Sequence, residues 1–105
     1  MLSLEAKTFS WSHEKDEENS KKHGLSFQEA VPVFLDPFLI LRYDDAHSSL
    51  NETRWKGIGM LHNDLLLSVV FTEEKENVIR LISAREASKK EKEDYRENIR
   101  YIFGT

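Results

Sequence analysis

Two side chains with chemical potential, Lys22 and His23, stand next to each other at the junction of two predicted helices. Gly24 follows them and is the typical residue type at which a helix ends. Ser26 and Glu29 form the capping-box pattern that starts the next helix. The junction therefore predicts a fixed cation beside an imidazole, a pair that suits acid–base or phosphate chemistry. Both residues also complement the negative end of the first helix dipole, which is the structural alternative.

Arginines supply the second candidate chemistry. Arg80 interrupts a run of strong strand formers, and Arg85 stands just past the predicted end of that strand. Because a charged side chain is rarely buried unpaired, Arg80 either pairs with an acid or opens onto a site. The guanidinium fork binds two phosphate oxygens and keeps its charge, so a phosphate site and a salt bridge are the two alternatives. A period of two defines the faces of this strand, which are Val78, Arg80 and Ile82 on one side and Ile79, Leu81 and Ser83 on the other.

Other chemistry has less support in the sequence. His47 follows Asp44 and Asp45 in a polar loop, but no second pair of ligands has the spacing of a metal site. The chain has no cysteine, which excludes thiolate metal sites and thiol nucleophiles. Trp11 and Trp55 are expected as anchors in the core or at an interface rather than as platforms for stacked bases. We therefore predict no metal and no cofactor.

Composition favours one small soluble domain over residues 1–105. Hydrophobic residues make up 39% of the chain and charged residues 32%, a balance typical of a globular protein. Residues 1–5 lack the pattern of a signal peptide, and no apolar run is long enough for a membrane span, so we expect a cytoplasmic protein. The net charge of −4 argues against a general nucleic-acid binder, although the scattered arginines leave room for a local basic site.

The periodicities predict the elements that position these residues. The N-terminal part has a short strand near residues 8–11, a helix between Ser12 and Gly24, and a second helix that Pro32 shortens or distorts. Strands follow over residues 38–43, 54–61, 65–72 and 77–84, with an acidic turn at residues 73–76. Gly57 and Gly59 mark a bulge or a close approach of the backbone. The last helix begins after Ser88 and has a thin apolar face, which predicts a place along the sheet edge or against a partner.

The order of the residues resembles the BrnT family of toxins. Three blocks carry the resemblance, namely Trp11-x-x-x-Lys15 with Asn19-x-x-Lys22-His23-Gly24-x-Ser26-Phe27-x-Glu29-Ala30-x-x-Val33-Phe34-x-Asp36-Pro37, then Glu52-x-Arg54 with Gly59, and finally Arg80-x-Ile82-Ser83-Ala84-Arg85-x-Ala87 with Glu91 and Tyr95. The resemblance covers nearly the whole chain. It implies an α+β, RelE-like fold in which two N-terminal helices pack on an antiparallel meander sheet and a helix follows the last strand.

The resemblance also implies a function. The protein would be the ribonuclease toxin of a type II toxin–antitoxin system, neutralised in a hetero-oligomer by a BrnA-like antitoxin that alone contacts operator DNA. We expect no membrane partner. Cleavage of RNA without a metal proceeds by attack of the 2′-hydroxyl and leaves a 2′,3′-cyclic phosphate.

Such cleavage needs an acid and a base for proton transfer, and cations to stabilise the charge on the phosphorane. Arg80 and Arg85 would stabilise this charge with help from Arg54, and Lys22 would position a phosphate. His23 is the best candidate for the general acid or base, and a glutamate is the alternative base.

One segment departs from the family pattern. Family members often carry a basic residue in the turn after the long central strand, whereas this chain has Glu73-Glu74-Lys75-Glu76. The second hypothesis is therefore a catalytically weak or inactive interaction module that binds an antitoxin-like transcriptional regulator.

Overall fold

The structure, a computed structural model, describes residues 7–104. The expectation about residues 1–5 lies outside the described residues. Along the chain, the elements are β1 Thr8–Ser10, α1 His13–His23, α2 Phe27–Ala30 with a 3₁₀ segment Val31–Leu35, β2 Ile40–Tyr43, a 3₁₀ turn Asp45–His47, β3 Arg54–Met60, a 3₁₀ turn His62–Asp64, β4 Leu66–Lys75, β5 Val78–Glu86 and α3 Lys89–Phe103.

The strands form one five-stranded mixed sheet in the order β1-β5-β4-β3-β2. Strands β2 to β5 are the predicted antiparallel meander, but β1 pairs with β5 in parallel, so the sheet is not purely antiparallel. The predicted acidic turn at residues 73–76 is wrong. Strand β4 continues through Lys75, and the chain turns at Glu76 and Asn77, where Asn77 has a φ of 65°.

The structure confirms the predicted helix ends. They could be predicted because local hydrogen bonds determine them. The Ser12 hydroxyl accepts from the Lys15 N–H at 3.3 Å, and Gly24 ends α1 with a left-handed φ of 70°. Complete capping boxes at Ser26 and Ser88 start α2 and α3. Helix α2 is only one turn long before the chain tightens into 3₁₀ geometry at Pro32, as the proline predicts.

The sheet has an apolar cluster on each face. The first cluster joins α2 and the 3₁₀ segment to β4 and β5 and includes Phe27, Phe71 and Leu81. The second cluster joins α3 to the opposite face, where Tyr95 packs with Ile58. The prediction that α3 lies along the sheet edge is therefore wrong, because its few apolar side chains cover one end of a sheet face.

Gly59 permits a close approach rather than a bulge. A Cβ at this position would lie 2.8 Å from Cγ1 of Val33 and 2.9 Å from Cδ1 of Leu39. The irregularities of the sheet lie between β4 and β5 instead. None of the helices within residues 7–104 is long and apolar enough to cross a membrane.

Candidate nucleic-acid interface

One face of the sheet gathers cations from three strands. Residues paired across neighbouring strands project to the same side of a sheet. Arg80 of β5 pairs with Thr72 of β4, which pairs with Arg54 of β3, so the two arginines lie in one row. Lys56 and Arg42 are paired in the next row. We call this surface the cationic face and define it by five cationic residues, Arg42, Arg54, Lys56, Arg80 and Arg85.

A bulge decides which residues of β5 reach the cationic face. Between Leu81 and Ser83 the pairing advances two residues on β5 and one on β4, so Ile82 is the extra residue. Ser83 therefore shares the face of Arg80 and Arg85. The prediction that Ser83 lies with Leu81, and Ile82 with Arg80, is wrong, because it assumed an unbroken period of two.

Helix α1 brings the predicted lysine–histidine pair to the edge of this face. The Asn19 amide donates to the Ala84 carbonyl at 2.9 Å and accepts from the Ala84 N–H at 3.0 Å, as a neighbouring strand would. This contact holds α1 along β5 beyond the end of β1. Lys22 and His23 consequently line a shallow groove together with Ser83.

The ion pairs of Arg54 and Arg80 are partly open to solvent. Arg54 Nε lies 2.7 Å from Oε1 of Glu52. Arg80 Nη1 lies 3.5 Å from Oε2 of Glu74, and their side chains are 36% and 43% exposed. Exposed pairs contribute only about 0–1 kcal/mol, so an incoming phosphate can replace these carboxylates at little cost. The structural and functional alternatives for Arg80 are therefore compatible.

Arg85 has a different partner, the buried carboxylate of Glu91, which is 7% exposed. Nη1 and Nη2 of Arg85 donate to its two oxygens at 2.8 and 3.1 Å, and Lys56 Nζ lies 3.3 Å from Oε2. Burial alone would raise the pKa of Glu91. Hydrogen bonds from Arg85 and the Ser88 N–H, together with the nearby positive charges, outweigh burial and lower the pKa to about 2. The carboxylate is thus charged throughout the physiological pH range.

The structure brings Arg54, Arg80 and Arg85 to one surface and places Lys22 and His23 at its edge. Sequence reasoning missed Lys56 and Arg42 as members of this surface. Lys56 had a readable signal, because it follows Arg54 by two residues within a predicted strand and must share its face. The sequence predicted Glu91 as part of the capping box that starts the last helix and of the family-like pattern, but not as a member of this surface.

The contacts of the other candidate residues, His47, Trp11 and Trp55, are those of residues that support the fold. His47 Nδ1 lies 2.9 Å from Oδ2 of Asp44 in an exposed turn. Within residues 7–104, no group of three or more histidine, aspartate or glutamate residues is arranged to hold a metal ion. Trp11 packs edge-to-face on Phe27, and Trp55 contacts Tyr43 in the same way, so both indoles support the first cluster.

Two comparisons relate this chain to known proteins. The family described as "ribonuclease toxin, BrnT, of type II toxin-antitoxin system" matches residues 11–91. The crystal structure of the Brucella abortus ribonuclease toxin BrnT is similar in fold, with a TM-score of 0.60 and 24% sequence identity over 79% of this chain and 99% of that one. No curated protein sequence matches the chain.

Proposed function

Because the chain belongs to the family of BrnT ribonuclease toxins of type II toxin–antitoxin systems, we propose that it is an endoribonuclease that cleaves RNA on the cationic face. The observation that carries the proposal is the convergence of three arginines and a lysine from β3 and β5 on one side of the sheet. Such a surface attracts the phosphate backbone regardless of base sequence. The half-exposed arginines keep donors within reach of solvent.

The proposed reaction needs neither a metal nor a cofactor. The 2′-oxygen of a ribose attacks the adjacent phosphorus while a base accepts its proton. The bond from phosphorus to the 5′-oxygen breaks, and an acid protonates the leaving oxygen. The products are a 2′,3′-cyclic phosphate and a 5′-hydroxyl.

Three arginines act as charge stabilisers in this proposal. Arg80 and Arg85 stabilise the extra negative charge of the phosphorane, and Arg54 assists from the same row as Arg80. A preoriented guanidinium suits this task because it keeps its charge at every relevant pH.

In this proposal, the group that transfers protons lies at the edge of the cationic face. His23 is the general acid or base, since histidine exchanges protons near neutral pH. Lys22 holds a neighbouring phosphate in the groove beside Ser83. A glutamate is the alternative base.

Membership of a type II system implies an antitoxin protein as partner. We propose that this partner is BrnA-like, that it neutralises the toxin in a hetero-oligomer in the cytoplasm, and that operator DNA is contacted only through it. The sheet with flanking helices supports a relationship to the RelE-like toxins.

A second function is favoured by the ion pairs themselves. Each of the three arginines already faces a carboxylate, with Glu74 taking the position that a phosphate would occupy at Arg80. A protein neutralised in this way would be a weak or inactive nuclease that retains only the binding of an antitoxin-like regulator. Glu74 belongs to the acidic segment that departs from the family pattern.

Replacement of Arg80 by alanine separates the two functions. We expect the native chain to arrest growth and degrade bulk RNA after induced expression, and Arg80→Ala to do neither at equal protein level. Arg96→Ala, which removes an exposed arginine of α3, is the matched control and should act like the native chain. Purified native protein should cleave RNA in the presence of a chelator. Equal cleavage by folded Arg80→Ala would refute the role of Arg80, and intact RNA with the native chain would favour the interaction module.

A further inference from the structure

Glu91 joins two strands of the cationic face through one buried carboxylate. We propose that Glu91 is a positioning residue that holds Arg85 and Lys56 as a two-cation site for one phosphate of the RNA. This inference rests on the proposed function and assigns roles to Glu91 and Lys56. Glu91 itself does not contact the substrate.

The orientation of Arg85 leaves one edge of its guanidinium available. Glu91 takes the end formed by Nη1 and Nη2, and Nη1 also donates to the Glu86 carbonyl at 3.1 Å. Nε and the second hydrogen of Nη2 lie together on the side edge of the group. The Arg85 side chain is 37% exposed, and its hydrogen bonds within residues 7–104 run from Nη1 and Nη2. The side edge can therefore bind two phosphate oxygens.

Lys56 completes the site from the neighbouring strand. Its Nζ lies 3.3 Å from Oε2 of Glu91, the same oxygen that accepts from Nη2 of Arg85 at 3.1 Å. The two cations thus converge on one oxygen from β3 and β5. An ammonium group has three donors, so two remain for a ligand. Two cations and one anion leave a net positive charge that attracts a phosphate.

The Glu91 side chain is itself fixed by hydrogen bonds, so it can hold Arg85 and Lys56 in place. Its carboxylate accepts from the Ser88 N–H at 2.8 Å as part of the capping box that starts α3. The Ser68 hydroxyl lies 3.4 Å from Oε2. Since both oxygens are fixed by donors from β4, β5 and the helix start, the side chain has little freedom. Because the carboxylate is fixed, it orders the two long cationic side chains before RNA binds. Less conformational entropy is then lost on binding.

Glu91→Gln is the sharpest variant, because glutamine has nearly the same shape and keeps an oxygen for the Ser88 N–H, whereas it loses the charge and the second acceptor oxygen that hold Arg85 and Lys56. Glu93→Gln, which removes an exposed charge two residues away, is the matched control. We expect Glu91→Gln to lower kcat for RNA cleavage by about 10- to 100-fold, as is typical when reacting groups lose their alignment. Its affinity for a fully 2′-O-methylated single-stranded RNA, which cannot be cleaved, should not rise. Tighter binding with unchanged kcat would show that Glu91 only competes with RNA, and would overturn the proposal.

Lys56→Gln tests the site while leaving Glu91 and its hydrogen bonds to Arg85 and the Ser88 N–H in place. We expect it to reduce the slope of log affinity against log salt by about 0.7 for the methylated RNA, the value for one lost phosphate contact on a single strand. An unchanged slope would refute the two-cation site. Circular dichroism at the assay temperature verifies that each variant is folded.

Failure of the inference can be told apart from failure of the proposed function. If the native chain neither binds the methylated RNA nor cleaves unmodified RNA, both the proposed function and the inference about Glu91 are refuted. If the native chain cleaves RNA and the variants at positions 91 and 56 behave like Glu93→Gln, the cationic face stands and the positioning role of Glu91 is wrong.

Discussion

Glu91 should also dominate the pH dependence of stability in acid. Its pKa lies at about 2 rather than the ordinary 4.5, because Arg85, the Ser88 N–H and Lys56 stabilise the charged form against burial. At about 1.4 kcal/mol per pH unit, the difference corresponds to roughly 3 kcal/mol of free energy of unfolding. A depressed pKa means that this contribution is complete above pH 4.5 and is lost as the pH falls towards 2.

Glu91→Gln removes the titrating group and the charge-assisted hydrogen bonds together. We expect its free energy of unfolding at neutral pH to be lower by about 2–3 kcal/mol, in line with bonds to a charged acceptor. Between pH 4.5 and 2 the variant should lose stability less steeply than the native chain, with the two curves converging at the acid end.

Urea unfolding at a series of pH values measures both effects, since the midpoint reports stability when the slope is constant. Glu93→Gln serves as control and should reproduce the native pH profile. A Glu91→Gln variant that loses stability in acid as steeply as the native chain would refute the assignment of the depressed pKa to this carboxylate.

Two further substitutions, Gly59→Ala with Gly57→Ala as its control and Tyr95→Phe, test how the scaffold is packed. Gly59→Ala should cost about 1–3 kcal/mol, because its Cβ would meet Cγ1 of Val33 at 2.8 Å and that residue's backbone oxygen at 3.2 Å. Gly57→Ala, with its nearest atom at 3.4 Å, should cost clearly less in the same urea experiment. Tyr95→Phe should cost about 1.5–3 kcal/mol, because it removes a 2.6 Å hydrogen bond to the Asp36 carboxylate. Burial and Asp36 raise the pKa of Tyr95, so this cost should be constant from neutral to mildly alkaline pH. A Tyr95→Phe melting curve equal to the native one would contradict it.

Local chemistry explains which parts of the fold were predictable. The caps at Ser12, Gly24 and Ser26 depend on neighbours within a few residues, and each is found where the sequence placed it. The strands followed from their apolar patterns with ends shifted by a few residues. The grouping of Arg54 with Arg80 was proposed through the family resemblance, and the sheet register gives it a physical basis.

Pairing between distant segments explains what was missed. The bulge at Ile82 depends on how β5 meets β4, and a period of two read along β5 alone cannot register it. Residues 73–75 extend β4 because β5 pairs with Glu73 and Lys75. Glu73 and Glu74 also form ion pairs with Lys7 and Arg80. Charge alone had indicated a turn there.

The net charge of −4 is a poor guide to this surface. Salt screens charges in water within about 8–10 Å, so an RNA strand responds to the charges of the surface that it touches. The charges of α1 and α3 cancel, and the excess of acids lies outside these two helices, mostly in turns and loops. The strands β2, β3 and β5 instead contribute cations to a single side of the sheet. What matters for binding is how firmly each cation is paired. The exposed Arg80–Glu74 pair can open, and the buried Glu91 instead aims Arg85 while leaving one of its edges in solvent.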